Sequence, residues 1–352
     1  MFWLVIVVLV VWFCVCWHGS SSSRRPRKIR LLDARQKSRA KARSRDADRV
    51  ARMASYRVDS VEPHVTTTTA AASNRGDSGR KAAVLIGINY VGEDYKLDGC
   101  INDAHQIKQL IEQQFGYQEF LLMTDETDLK PIGDNMRKSF EWLTRDARPG
   151  DSLFVHYSGH GSTAPPSPAN VGATVNDTIV PLDWEENGEM VDEELFTLLV
   201  KPLHGTGARL TAIFDCCHSG TGLNLAFNYK VDRTDSHIIR MPRDHHQPLA
   251  SDVVLLSACL DGQTAADESD GNNNYYGALT NALLQTLRAH AYKIAWGPLL
   301  VEIQRRIEEQ DSEPSQRPQL SSEQDLNMAA LFDLVASPTS RFLQPEIPPI
   351  PH

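Results

Sequence analysis

The sequence predicts an α/β fold, a mostly parallel sheet covered by helices on both faces. Three observations predict it. Six short, continuous apolar runs recur from residue 82 onward: AAVLIGI (82–88), EFLLM (119–123), SLFVHYS (152–158), LTAIFD (210–215), DVVLLSA (252–258) and MAALFDL (328–334). Runs without apolar/polar alternation suit strands buried on both faces. Five amphipathic stretches lie among them, NDAHQIKQLIEQQF, PIGDNMRKSFEWLTRDA, DEELFTLLVKPL, GALTNALLQTLRAHA and PLLVEIQRRIEEQ. Strand alternating with helix implies parallel neighbours joined by crossovers. Finally, two of the runs end on reactive residues where a structural segment would end on Gly, Asn or Pro. RLTAIFDCCHSG (209–220) ends on Asp215, Cys216, Cys217 and His218, and DSLFVHYSGHG (151–161) on His160 between Gly159 and Gly161. In open sheets of this kind ligands bind beyond the carboxyl ends of the strands, where both groups fall.

Ahead of the first run the chain has another character. Residues 1–17, MFWLVIVVLVVWFCVCW, carry no charge and no turn former, and as a helix would reach about 25 Å, at the short end for a bilayer span. Arg24, Arg25, Arg27, Lys28 and Arg30 follow directly, so the positive-inside rule predicts a membrane anchor with the rest of the chain on the cytoplasmic side. The rivals are a cleaved secretory signal, which normally has its positive charge before the apolar run, an arginine-rich organelle presequence, and a start-site artefact that would leave a soluble cytoplasmic protein. Residues 18–80 are Ser-rich, then Arg-rich, then TTTTAAAS. They lack the apolar residues that offset ordering entropy and read as a disordered linker or prodomain, with a helix near 33–53. The folded domain is expected over 81–336. Within it 228–249, NYKVDRTDSHIIRMPRDHHQPL, reads as a polar loop, and 337–352 reads as a Pro-rich tail. No internal repeat is found.

With 352 residues, 41% of them apolar, the chain can bury a full hydrophobic core. Charge is uneven: residues 21–60 hold 14 Lys+Arg against 4 Asp+Glu, while the remainder carries a net charge of −19. The basic residues sit outside the periodic segments, which argues against a nucleic-acid partner and leaves an acidic body suited to cationic ones. Six cysteines, two of them (Cys14 and Cys16) inside the apolar segment, are too few for a disulfide scaffold. Adjacent Cys216 and Cys217 would strain any bridge between them, so a reducing compartment is the simpler reading.

A cysteine attacks as its thiolate, and a histidine takes or balances the proton, so the pair needs closeness in space rather than in sequence. His160 and Cys217 end separate predicted strands and lie 57 residues apart, histidine first, as in caspase-type nucleophiles. The amide of Gly161, unobstructed by a side chain, could hold a developing oxyanion together with the amide of Cys217. Asp215 is the oddity, because a carboxylate beside a thiol disfavours the thiolate. With Asp103 as a second acid it would bind a cationic substrate side chain before the cleaved bond; the plainer alternative is that it caps the following helix. His156, within a strand, reads as a core histidine. Zinc on Cys216, Cys217 and His218 is disfavoured because consecutive residues do not easily converge on one ion.

On LIGINY, LDGCINDA, HYSGHG, FDCCHSGTGL, LLSACLDGQTAAD, GALT and RPQLSS, the sequence resembles a type I metacaspase, a caspase-like cysteine peptidase, over about residues 82–335. The resemblance implies a caspase-like three-layer sandwich around a mostly parallel six-stranded sheet. It implies His160 as general base and Cys217 as nucleophile, a choice over Cys216 that spacing leaves open. It also implies Cys100, Asp103, Ser158 and Asp215 as the pocket for a substrate Arg or Lys. Polypeptides with Arg or Lys before the cleaved bond are then the substrates, cut through an acyl-enzyme, with no organic cofactor and the chain acting as a monomer.

Members of this family are commonly calcium-activated through clustered aspartates. The corresponding positions here are Asn176 (with Asp177 beside it), Asp192, Glu193 and Asn224, so two expected acids are asparagines. Affinity follows ligand charge, and weak or absent calcium activation is expected. Self-cleavage, also common in the family, has candidates at Arg75, Arg80, Lys81, Lys230, Arg233, Arg240 and Arg243, in segments read as exposed. The competing classes are a catalytically silent scaffold or regulator on the same fold, and a binding module anchored by residues 1–17.

Overall fold

The structure, a computed structural model, describes residues 79–343 apart from 166–174, 218–221, 233, 244–245, 259–266, 270–274, 311–315 and 338. The apolar segment 1–17, the linker with its expected helix, His218 and Arg75 lie outside the described residues. Among those described, no helix is long and apolar enough to cross a membrane.

In chain order the elements are β1 (Lys81–Gly87), α1 (Cys100–Phe115), β2 (Glu119–Thr124), α2 (Gly133–Thr144), β3 (Ser152–Ser158), β4 (Gly161–Ala164), β5 (Asn176–Ile179), α3 (Trp184–Asn187), β6 (Met190–Val191), α4 (Asp192–Leu199), β7 (Arg209–Asp215), β8 (Phe227–Val231), β9 (Ile238–Pro242), β10 (Asp252–Ser257), β11 (Asp267–Ser269), β12 (Tyr275–Gly277), α5 (Ala278–Ala289), α6 (Trp296–Gln310) and β13 (Gln319–Ser322). The main sheet has eight strands in the order β2-β1-β3-β7-β10-β13-β8-β9. The first five are mutually parallel and the last three join antiparallel. Two small sheets, β4-β5-β6 and β11-β12, lie beside it.

The continuous apolar runs are explained by the two faces they serve. Successive side chains alternate across a sheet. Ala82, Val84 and Ile86 of β1, Leu153, Val155 and Tyr157 of β3, and Leu210, Ala212 and Phe214 of β7 pack with Met136, Phe140 and Leu143 of α2 and with Leu195 and Leu199 of α4. The intervening Ala83, Leu85, Phe154 and Ile213 pack with Ile107 and Ile111 of α1, Leu279 and Leu283 of α5, and Leu299 and Ile303 of α6. A helix layer on each face makes three layers, and the expected α/β class holds. α1 stops where Gly116 turns into the left-handed region at φ 70°, as helix ends commonly do.

Three expectations are corrected. The sheet has eight strands rather than six, and MAALFDL is not one of them. Its carbonyls serve the start of α6 instead: Trp296 N–H bonds to Ala330 O and Gly297 N–H to Met328 O, at 3.0 and 2.9 Å. Its Phe332 and Leu334 are buried in the α6-side core, while Leu331 is 61% exposed. The strand beside β10 is the polar QLSS of β13, all four residues buried. The segment read as a polar loop supplies β8 and β9, whose alternation (Tyr229 and Val231 inward, Lys230 between them) is that of a one-sided antiparallel strand. Past residue 336, Arg341 is only 3% exposed and bonds to Asp252 Oδ1, Thr211 Oγ1 and Leu210 O at 2.6, 2.8 and 2.7 Å. This ties the C-terminal segment to the amino ends of β7 and β10.

Candidate active site

The geometry of the site follows from one register. β3 and β7 are adjacent and parallel, with Ser158 opposite Asp215. His160 and Cys217 each stand two residues beyond that pair, so they occupy neighbouring strand tips on the same end of the sheet. Gly159 N–H donates to Asp215 O at 3.4 Å, carrying the pairing one step further. Gly161 then lies against Cys217 itself: a Cβ at Gly161 would stand 1.7 Å from the Cys217 carbonyl oxygen. Only glycine fits there.

Gly161 pairs with Ile179 of β5, and the ladder bond beside it runs from Val180 N–H to His160 O at 3.2 Å. In an antiparallel ladder this makes Gly161–Ile179 a non-hydrogen-bonded pair. The Gly161 amide is therefore turned away from β5. The imidazole of His160 is fixed at its far edge, with Nε2 2.6 Å from the Tyr95 carbonyl oxygen. A carbonyl only accepts, so Nε2 carries the proton, and the basic lone pair of the neutral ring lies on Nδ1. Tyr95 is held in turn by Trp184 of α3, whose Nε1–H donates to its hydroxyl at 3.0 Å. Cys217 is 8% exposed and Cys216 is fully buried on the α2 face.

Asp103, Ser158 and Asp215 meet on the other face, with Cys100 opening the same helix as Asp103. Cys100, Asp103, Ser158 and Asp215 are all buried. The Ser158 hydroxyl donates to Asp103 Oδ2 at 2.7 Å, Gly277 N–H reaches both Asp103 oxygens at 3.0 and 3.1 Å, and Thr280 N–H donates to Asp215 Oδ2 at 2.7 Å. Thr280 lies in the first turn of α5, so Asp215 does cap a helix, but one reached across the fold. A Cβ on Gly277 would lie 2.2 Å from Asp215 Oδ2 and 2.8 Å from Asp103 Oδ2. Two carboxyl groups thus converge on one missing side chain, at the carboxyl end of β7 two residues before Cys217.

The positions expected to hold calcium come together only in part. The β5–β6 register, with Thr178 opposite Val191, brings Asp177 beside Asp192 at the start of α4. Burial pushes the Asp192 carboxyl up to about 6, against the pull of the Glu193 amide and of the nearby Arg243 charge. Asn176 is buried in β5, Glu193 is half-buried, and Asn224 adopts the left-handed conformation at φ 54°. Among the described residues, the carboxylates of Asp177, Asp192 and Glu193 do not converge on a common point. The trio that does is Asp232, Asp235 and His237, on the β8–β9 turn. With asparagines in two of the positions, the donor set offers neutral oxygens where acids are expected.

Several self-cleavage candidates are engaged in the fold. Arg80 pairs with Glu119 at 2.9 Å, Lys81 Nζ bonds to Phe115 O, Lys230 lies within β8, and Arg240 pairs with Asp325 at 2.8 Å. Arg243 N–H bonds to Ala226 O. Arg75 and Arg233 lie outside the described residues. Sequence reasoning also missed Tyr90, Tyr95, Tyr157, Gly277 and Thr280. A signal was present for two of the tyrosines, since Tyr90 closes LIGINY and Tyr157 stands in HYSGHG. A phenol in an otherwise apolar buried run has a polar tip that must find a partner.

Comparison with known proteins gives first the class. A family model described as "Metacaspase, peptidase C14 domain" matches residues 81–226, the stretch from β1 through the Cys217 tip. Metacaspase-1 of Mycosarcoma maydis is 32% identical over 300 residues, covering 72% of this chain and 73% of that protein. Metacaspase-1 of Saccharomyces cerevisiae is 33% identical over 309 residues, covering 72% and 69%. Metacaspase-1B of Aspergillus terreus is 32% identical over 304 residues, covering 72% and 78%. The chain belongs to the metacaspase family, cysteine peptidases of the C14 type.

Proposed function

We propose that this peptidase cleaves polypeptides after Arg or Lys, with Cys217 as nucleophile and His160 as general base. The observation that carries the reading is the β3–β7 register, with Gly161 packed on the Cys217 carbonyl. The Cys217 thiol gives its proton to His160 Nδ1 as the sulfur bonds to the substrate carbonyl carbon. The amides of Gly161 and Cys217 stabilise the oxyanion. The C–N bond then breaks, the amine leaves with the proton from His160, and a thioester remains. Water, deprotonated by the same imidazole, hydrolyses it to the acid and restores the thiol. The buried pair Asp103 and Asp215, with Ser158 and Cys100, supports preference for a guanidinium or ammonium group before the cleaved bond.

The test is a fluorogenic peptide ending in Arg, assayed with wild type and Cys217→Ala, beside an Asp-ending control. Turnover of the Arg peptide by wild type alone is expected; equal turnover by Cys217→Ala, or preference for Asp, would overturn the reading.

Three further features belong to the same proposal. Activity is weakly dependent on calcium or independent of it, supported by the asparagines and the unconverged carboxylates; a steep rise in turnover with micromolar calcium would contradict this. Self-processing falls at one of the basic candidates named above, and Cys217→Ala stays uncut. Residues 1–17 tether the enzyme to a membrane, supported by their uncharged composition and the basic cluster after them. N-terminal sequencing of the mature chain tests that last point, since a start beyond residue 17 would refute it.

A further inference from the structure

The hydrogen-bond ladder between the start of β4 and the end of β5 is altered at His160. Gly161 opposite Ile179 makes His160 and Val180 the next pair, which in a regular antiparallel ladder exchanges two N–H to C=O bonds. One is present, from Val180 N–H to His160 O. In place of the other, the Tyr90 hydroxyl accepts His160 N–H at 3.0 Å and donates to Val180 O at 2.7 Å. The Tyr157 hydroxyl lies 3.2 Å away, donates to His160 O at 2.7 Å and accepts from Val180 N–H at 3.1 Å.

Two more observations mark this as a built arrangement. Gly159 makes room for it, since a Cβ there would stand 2.8 Å from the Tyr157 hydroxyl oxygen and 3.2 Å from that of Tyr90. Tyr90 has φ 51°, a left-handed conformation that a bulky residue keeps only where its surroundings over-determine it. Its ring also lies tilted against the imidazole, with centroids 4.7 Å apart.

We propose that Tyr90 and Tyr157 are positioning residues for His160. Their hydroxyls replace one ladder bond, fix the peptide on both sides of the imidazole, and so set where its Nδ1 edge meets Cys217. Both phenols are fully buried, and burial holds their ionisation well above the ordinary value, so they remain protonated donors across the working pH range. The inference deepens the peptidase reading and rests on it.

The test uses the full chain with Tyr90→Phe, Tyr157→Phe and Gly159→Ala made singly. Tyr90→Phe is expected to lower kcat about 10- to 100-fold, the scale of a misplaced catalytic group, with KM within about two-fold of wild type. A purely structural loss of active molecules would lower kcat too, so a second readout is required: the pH dependence of iodoacetamide alkylation at Cys217, located by mass spectrometry. The apparent pKa of that thiol is expected to rise by about one unit in the Phe variants, as the displaced imidazole stabilises the thiolate less. Gly159→Ala, which removes no hydroxyl but displaces both, should reproduce the rise. Should Tyr90→Phe not fold, Tyr157→Phe and Gly159→Ala carry the test. Variants that keep the wild-type kcat and alkylation profile overturn the inference while the peptidase reading stands. If wild type turns over no peptide, the peptidase reading fails separately, and an alkylation profile of Cys217 indifferent to the variants overturns the positioning role as well.

Discussion

Ser158 donates its hydroxyl to Asp103 at 2.7 Å while facing Asp215 across the β3–β7 ladder. One small side chain therefore links an acid from the first turn of α1 to an acid at the tip of β7. Ser158→Ala removes a hydrogen bond to a charged group, worth about 1.5–3 kcal/mol. Cleavage of Arg-ending peptides should lose about 10-fold or more in kcat/KM, mainly through KM. Steady-state kinetics decide it; an unchanged KM would separate Ser158 from the pocket.

Gly277 offers a sharper probe of the same pair. Its missing Cβ is the space into which Asp103 and Asp215 converge, so Gly277→Ala forces a carboxylate aside. The packing cost is about 1–3 kcal/mol, seen as a lower denaturant midpoint, and kcat/KM for Arg peptides should fall about 100-fold. Retention of wild-type kinetics and stability together would mean that the acids are not held as described.

His156 makes stability depend on pH in a defined direction. It is fully buried, and burial pushes its pKa down to about 3 from an ordinary 6.5. Its Nε2 lies 3.5 Å from Thr280 Oγ1, and its Nδ1 is buried with no partner. The unfolded chain takes up the proton near 6.5 and the folded chain does not. The stability associated with the neutral ring is therefore complete above about pH 6.5 and declines by about 1.4 kcal/mol per unit as pH falls toward 3. From pH 7 to 4 the urea midpoint of wild type should fall relative to that of His156→Leu if this holds. Parallel curves would remove His156 as the source.

The C-terminal segment should matter for stability but not for chemistry. Arg341 binds Asp252, Thr211 and Leu210 at the amino ends of the strands, opposite the end that carries His160 and Cys217. Arg341→Ala leaves Asp252 with Arg209 alone and should cost about 3–5 kcal/mol, as the breaking of a buried pair does. Thermal melting is expected to fall by about 10 °C, judged on the domain's size. The kcat at 25 °C should stay within about two-fold; a large loss would tie this segment to the site.

The five parallel strands and the five main helices were legible because each served both core layers or carried one clear apolar face. The reactive tips were legible because Cys217 and His160 stand where turn residues belong. Other features depend on tertiary partners. QLSS is too polar to announce a buried strand, yet pairing on both sides satisfies its backbone. MAALFDL has the composition of a strand, but its carbonyls bond to the start of α6. The hydroxyls of Tyr90 and Tyr157 acquire meaning only when β5 arrives beside His160, and Gly277 only when two acids from distant parts of the chain meet over it.

The β8–β9 hairpin has a bearing on how copies of this enzyme could meet. It occupies the side of β13 that a neighbouring molecule would need in order to continue the sheet, so that strand has no ladder left to offer. Among the described residues, the borders that remain are β2 and β9. β9 ends in Pro242, which has no N–H to give, and carries the exposed Arg240 two residues earlier. Proline and outward charge are the usual guards of an open border. Among the described residues, these guards disfavour strand addition at β9.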